Sequence, residues 1–211
     1  EDGSGMYTLF SGLYRLLTEK VQYQILVLGL DYAGKSTYKE QCERIFSKSA
    51  KLEGKDLHID EKMTPTVGLN IGKLEIGRVK LLLWDLGGQE GLRVIWQNYY
   101  AEAHAIVYIV DSCDNERLNV ARKELRSVLA DDTVKGAPIL LLANKQDKPN
   151  ARDDKYINTY FGMESKEMEG RITKVLGISA LKGTNVKESI EWLVDVIPKC
   201  PRTDRIKLES L

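Results

Sequence analysis

Two kinds of hydrophobic pattern alternate along the chain. Short, nearly continuous runs of Val, Ile and Leu predict strands at 24–29, 69–76, 79–85, 105–111, 139–144 and 172–178. Between them, apolar positions recur at three- and four-residue spacing and predict helices at 34–47, 116–129, 153–160 and 185–197. Runs such as Ile25-Leu26-Val27-Leu28 and Ile139-Leu140-Leu141-Leu142 carry no polar face, as expected of parallel strands covered on both sides by crossover helices. The exception is the second and third strands, joined only by Gly77-Arg78. That link permits a hairpin and no parallel crossover, so one edge strand should be antiparallel. The pattern predicts an α/β fold: a mostly parallel six-stranded sheet, one antiparallel edge strand, and helices on both faces.

Composition narrows this little. The 211 residues carry 31 Lys+Arg against 31 Asp+Glu, so a generic nucleic-acid binder, which would show a basic excess, is not expected. Cys42, Cys113 and Cys200 are odd in number and far apart. They offer neither a disulfide framework nor a zinc pair and favour a reducing compartment. No uncharged apolar run reaches the roughly 18 residues of a membrane span, and 6–17 lacks a cleavage site, so a soluble, intracellular chain is expected. Residues 1–5 read as a cloning remnant, 6–20 as an amphipathic helix, 21–198 as the domain and 199–211 as a polar C-terminal tail. The charge-rich stretch 148–170 reads as a surface insertion.

Gly29-Leu-Asp-Tyr-Ala-Gly-Lys-Ser36 fits G-x-x-x-x-G-K-[ST], directly after a buried strand and opening a helix. The backbone from Gly29 through Asp31, Ala33 and Gly34 to Thr37 can turn its N–H groups toward phosphate oxygens, aided by the helix N-terminus. Lys35 supplies a cation to the β- and γ-phosphates, and the Ser36 hydroxyl is a hard ligand for Mg²⁺. Asp85, ending a strand, can hold Mg²⁺ as well, and Thr66 can add a second hydroxyl while a γ-phosphate holds its loop in. Taken alone, Thr66 after Pro65 is a turn residue. The Gly87-Gly88 pair can bring the Gly88 N–H to the γ-phosphate, and Gln89 is suited to orient an attacking water.

Asn144-Lys145-Gln146-Asp147 ends another apolar strand at the carboxyl edge of the sheet. Asp147 can accept from N1–H and the 2-amino group of guanine, which adenine cannot supply. Asn144 can brace the loop, the Lys145 stem can lie over the purine, and the Ser179-Ala180-Leu181 turn can bring a backbone N–H to O6. Together the motifs predict a GTP-binding protein.

The same strings, with Pro65-Thr-Val-Gly-Leu-Asn70 and Trp84-Asp-Leu-Gly-Gly-Gln-Glu90, resemble the Arf/Arl branch of small GTPases from Met6 to about Pro198. Three phrases, at 7–14, 67–72 and 190–193, most resemble a Golgi-associated member. The resemblance implies a P-loop GTPase fold and a regulator of membrane traffic that cycles between GDP and GTP with Mg²⁺. It implies slow hydrolysis until a GTPase-activating protein (GAP) acts, with Gln89 catalytic. Thr66 and 85–100 would be the two switches and 69–85 the sliding hairpin between them. Implied partners are an exchange factor, a GAP and effectors reading Leu69, Trp84 and Tyr99. The protein would be a monomer in the cytosol and, peripherally, on Golgi or trans-Golgi network membrane.

Two departures stand out. Tyr7 follows Met6, so the myristoylation glycine is absent, and Leu208–Leu211 contains no cysteine for prenylation. Thirty residues separate Lys35 from Thr66, more than in most of that family, and 48–62 reads as a solvated loop. Leu9, Phe10, Leu13, Leu16 and Leu17 form an apolar stripe on the N-terminal helix, expected to leave the core when GTP binds. A two-residue slip of the hairpin would permit this, since it keeps every side chain on its face. Without an acyl chain that helix holds a membrane weakly, which implies a membrane receptor protein. Two alternatives stand beside this reading. A GTP-binding scaffold with negligible hydrolysis is opposed by Gln89. A P-loop kinase is opposed by the Asn-Lys-x-Asp motif and the want of an Arg-rich lid.

Overall fold

The computed structural model describes residues 20–46 and 66–209. The expected N-terminal helix and the long loop at 48–62 lie outside them. Six strands form one sheet: β1 Val21–Leu28, β2 Leu69–Ile76, β3 Val79–Leu86, β4 Ala105–Asp111, β5 Ile139–Asn144 and β6 Thr173–Gly177. Their spatial order is β2-β3-β1-β4-β5-β6, parallel except for β2, which runs antiparallel to β3 on the edge. The helices are α1 Lys35–Phe46, α2 Leu118–Ala130, α3 Asp154–Phe161, α4 Val186–Val196 and α5 Pro201–Glu209.

The all-apolar strands behave as their pattern requires. Along β1, Ile25 and Val27 enter one core cluster with Tyr38 of α1 and Ile190 of α4. Leu26 and Leu28 enter the opposite cluster with Leu125 of α2 and Ile157 of α3. All four β1 residues are fully buried, so each layer of helices covers its own face. The helix after β1 lies on one face and the helix after β4 on the other. Their loops therefore leave the carboxyl edge in opposite directions and open a crevice between β1 and β4.

Two elements were not anticipated. Glu90–Tyr99 is a 3-10 segment whose Trp96 is buried in the core. The C-terminal residues, expected as a polar tail, form α5, and its Arg202 and Thr203 are buried. Within 148–170, α3 is capped by Asp153, whose carboxylate accepts the Tyr156 N–H at 2.7 Å. Among the described residues no helix is long and apolar enough to cross a membrane.

Candidate functional site

Four carboxyl-edge loops meet at the crevice. The first runs from Gly29 to Ser36, between β1 and α1. Gly34 has φ +95°, and a Cβ there would meet the Asn144 Nδ2 at 2.2 Å, so only glycine fits. Asn144, itself buried at the end of β5, donates from Nδ2 to the Ala33 carbonyl at 2.8 Å. Its Oδ1 accepts the Ala180 N–H at 2.9 Å. One amide thus joins the phosphate loop, the β5 loop and the turn after β6.

Lys35 is buried and donates from Nζ to the Leu30 carbonyl at 2.8 Å. Burial pushes its ammonium down to about 8, against the pull of Asp85 and Asp31 and with a further push from Arg93. A buried cation bonded to no carboxylate among the described residues is placed to receive an anion. Asp31 instead pairs with Arg117, whose Nη1 reaches Oδ1 at 3.1 Å while Nε holds Asp114 at 2.5 Å. Arg117 carries no sequence motif. Thr37 lies in the first turn of α1.

The three expected metal ligands converge. Ser36 Oγ lies 2.7 Å from Thr66 Oγ1 and donates to Asp85 Oδ2 at 2.5 Å; Thr66 reaches the same oxygen at 3.5 Å. Asp85 is fully buried, and its Oδ1 has no hydrogen-bond partner. Burial raises its carboxyl above the usual range, against lowering by Ser36 and Lys35. A buried carboxylate oxygen left unpaired beside two hydroxyls is a hard-oxygen set that fits Mg²⁺. No group of three or more His, Cys, Asp or Glu side chains suited to a metal occurs among the described residues. That pattern suits an ion whose remaining ligands are phosphate and water.

Gly88 is buried against the phosphate loop; a Cβ there would meet the Gly29 carbonyl oxygen at 2.4 Å and the Asp31 nitrogen at 2.5 Å. Gln89 follows, exposed, and its carbonyl accepts the Leu92 N–H at 2.9 Å. Trp84 packs edge-on to Tyr99 at 5.5 Å, and Leu69 and Tyr99 lie half-buried against the same core cluster.

At the other end of the crevice, Lys145 adopts a left-handed backbone (φ +69°) and its Nζ pairs with Asp111 Oδ2 at 2.6 Å. Such strain in a non-glycine residue is retained where the surroundings demand it. Asp147 is exposed, and its Oδ1 accepts from Ser179 Oγ at 2.6 Å. Ser179 in turn accepts the Lys182 N–H at 3.1 Å, and Ala180 and Leu181 continue the turn. The structure therefore brings the residues expected to hold phosphate, the three expected hard-oxygen ligands and the residues expected at the base to one sheet edge. It also adds Arg93 and Arg117, which the sequence motifs do not single out.

Residues 9–197 match the Arf, or ADP-ribosylation factor, family. The chain is 44% identical over 192 residues to ADP-ribosylation factor-related protein 1 of Rattus norvegicus, spanning 91% of this chain and 93% of that one. It is 42% identical over 190 residues to ADP-ribosylation factor-like protein 3 of Saccharomyces cerevisiae, spanning 90% and 92%. In three dimensions it is similar to the Arl6 BBS3 small GTPase of Trypanosoma brucei with bound GppNp. That likeness has a TM-score of 0.71 and 27% identity, over 85% of this chain and 99% of that one. With the nucleotide motifs on the strand ends that such a site requires, and the match running through nearly the whole domain, the chain belongs to the ADP-ribosylation factor family of small GTPases.

Proposed function

We propose that this GTPase works as a switch in Golgi membrane traffic, slow by itself and accelerated by a GAP. The observation that carries the switch is the meeting of Ser36, Thr66 and Asp85, three residues from three separate segments, within 3.5 Å. A nucleotide that rewards Thr66 for being there stabilises this arrangement of 66–68 and the hairpin, and one that does not leaves it unsupported. A ligand shifts such an equilibrium only by its differential affinity for the two states. GTP differs from GDP by the γ-phosphate alone, and Gly88 and Thr66 are the groups placed to sense it.

In this reading Ser36, Thr66 and Asp85 hold Mg²⁺, which when bound neutralises phosphate charge. Lys35 and the backbone N–H groups of 29–37 bind the phosphates, and Asp147, Lys145 and Asn144 with Ser179–Leu181 hold guanine. Gln89 sits exposed next to Gly88 and orients water toward the γ-phosphorus. Among the described residues no arginine is read as a finger for the transferred phosphoryl group, so turnover is slow until a partner supplies the missing charge, worth about 10³–10⁵ in rate. Leu69 and Tyr99, half-buried beside Trp84, which is itself buried, form the effector surface. An exchange factor resets the cycle.

Single-turnover hydrolysis, with and without a GAP-containing fraction, tests the enzymatic part. Gln89→Leu should retain GTP binding and lose stimulated hydrolysis; equal rates for parent and variant in both conditions would remove Gln89 from the mechanism. The Golgi part rests on the family resemblance and on the apolar stripe at Leu9, Phe10, Leu13, Leu16 and Leu17. GTP-analogue-loaded protein should float with Golgi membranes carrying a receptor and poorly with bare neutral liposomes, and Leu13→Asp with Leu17→Asp should abolish flotation. Equal flotation of the GDP and GTP-analogue forms would overturn this output.

A further inference from the structure

Between β3 and the 3-10 segment, successive peptide groups are each held by a different partner. The Gly87 N–H donates to the Gly68 carbonyl at 3.1 Å. The Gly87 carbonyl accepts from the buried Trp96 indole Nε1 at 3.0 Å. The Gly88 carbonyl accepts from Arg93 Nε at 2.9 Å. A trans peptide points its C=O and N–H in opposite directions. Fixing the Gly87 carbonyl therefore fixes the Gly88 N–H on the side away from Trp96, and fixing the Gly88 carbonyl sets the plane from which Gln89 departs.

Arg93 is itself anchored from outside the nucleotide loops. Its Nη1 pairs with Glu124 Oε1 at 3.1 Å on α2, with 14% and 31% of the two side chains exposed. One planar guanidinium thus spans the Gly88 carbonyl and a carboxylate on a rigid helix, a two-point attachment that a glycine pair cannot provide for itself.

We infer that Arg93, anchored by Glu124, is a positioning residue for γ-phosphate recognition and hydrolysis. It holds the Gly88–Gln89 peptide so that the Gly88 N–H and the Gln89 side chain are presented together. GDP makes no demand on Gly88, so loss of the clamp should fall on the triphosphate form alone. The inference rests on the reading that the Gly88 N–H senses the γ-phosphate; replacing that N–H by an ester oxygen, which removes the donor without adding a Cβ against the phosphate loop, is the control for that reading.

The experiment compares dissociation of fluorescent GDP and of a non-hydrolysable GTP analogue from the full chain with Mg²⁺. Arg93→Ala should release the analogue roughly tenfold faster, the scale of one lost charge-assisted hydrogen bond, while GDP leaves at the parent's rate. Glu124→Gln should shift the same ratio in the same direction by less; it keeps size and shape and carries the test if Arg93→Ala does not fold. Single-turnover hydrolysis should fall in both. Equal acceleration of both nucleotides would make the pair a general stabiliser and overturn the inference. So would unchanged release of both while the Gly88 ester shows the selective loss. If the Gly88 ester is itself unselective, the γ-phosphate reading fails and the inference falls with it.

Discussion

Asn144 donates to the Ala33 carbonyl at 2.8 Å, so the loop that would recognise the base also braces the loop that would hold the phosphates. The two half-sites are not independent. With its Oδ1 taken by the Ala180 N–H, every direction in which this amide could relax is occupied.

Asn144→Ala should therefore act on nucleotide and fold together. It strands a buried carbonyl and a buried N–H, which costs about 2 kcal/mol or more. GDP-saturated thermal unfolding should show a lower midpoint, and both nucleotides should leave faster. This unselective effect contrasts with the triphosphate-selective one expected of Arg93→Ala. A variant with the parent's stability and release rates would show that Asn144 braces nothing.

Lys35 should cost the empty protein stability. Its native ammonium is pushed down to about 8 from 10.5, chiefly by burial. That corresponds to roughly 3 kcal/mol. Between about pH 8 and 10.5 the unfolded chain binds more protons than the native one, so stability rises with pH across that window. Below pH 8 the penalty is present in full. Lys35→Met should thus stabilise the nucleotide-free protein at pH 7, offset in part by loss of the shorter of two hydrogen bonds to the Leu30 carbonyl, which keeps the Ala33 N–H at 3.4 Å. The advantage should shrink toward pH 10, and nucleotide retention should be lost. Urea unfolding at the two pH values checks it; lower stability of the variant at pH 7 would contradict the burial penalty.

The strands were legible because each apolar run is bounded by turn residues, and β2, β4 and β5 begin and end where the pattern places them. The phosphate and base residues were legible for a different reason. Their chemistry needs fixed spacing along one loop, and such spacing is a property of the sequence itself. Arg93 and Glu124 lie 31 positions apart on two elements, so only the packing of Glu90–Tyr99 against α2 reveals the pair. The sequence of α5 has no apolar stripe to announce a docked helix. Its attachment is through the Arg202 guanidinium and the Thr203 hydroxyl, both on backbone carbonyls, which side-chain patterning does not record.

That attachment gives a third expectation. Arg202 is buried and donates to the carbonyls of Tyr100 at 2.6 Å, Ala103 at 2.7 Å and Thr133 at 2.7 Å, with longer contacts to Ala101 and Lys135. Arg202→Met should strip these carbonyls of the guanidinium, leaving Tyr100 only the Ala103 N–H at 3.3 Å, and cost about 3 kcal/mol, read as a lower urea midpoint. Its charge also helps hold down nearby His104, which burial first and Arg202 second push to about 4. The native state resists protonation there, so this contribution is intact above about 6.5 and is lost as pH falls toward 4. In Arg202→Met the His104 pKa should move up, measurable by NMR titration. An unmoved value would deny the coupling.

Base selection turns on how Ser179 orients the group at 147. The Ser179 hydroxyl accepts the Lys182 N–H at 3.1 Å and spends its single proton on Asp147 Oδ1 at 2.6 Å. Asp147 Oδ1 keeps a second lone pair that can accept the N1–H of the base, and the other oxygen is left to accept from the 2-amino group of guanine. In Asp147→Asn the same serine proton requires the amide oxygen on its side, which turns the NH₂ toward the base. That NH₂ meets the 2-amino group of guanine donor to donor, whereas the 2-oxo group of xanthine accepts from it. Sites built on such bonds reject the mismatched partner strongly, so guanine affinity should fall by about 10²-fold or more and xanthine nucleotides should be preferred. Competition between GDP and XDP for the purified variant measures this directly. Ser179→Ala in the same background frees the amide to turn over and should narrow the preference. A variant that keeps guanine over xanthine by the parent's margin would place the base site elsewhere.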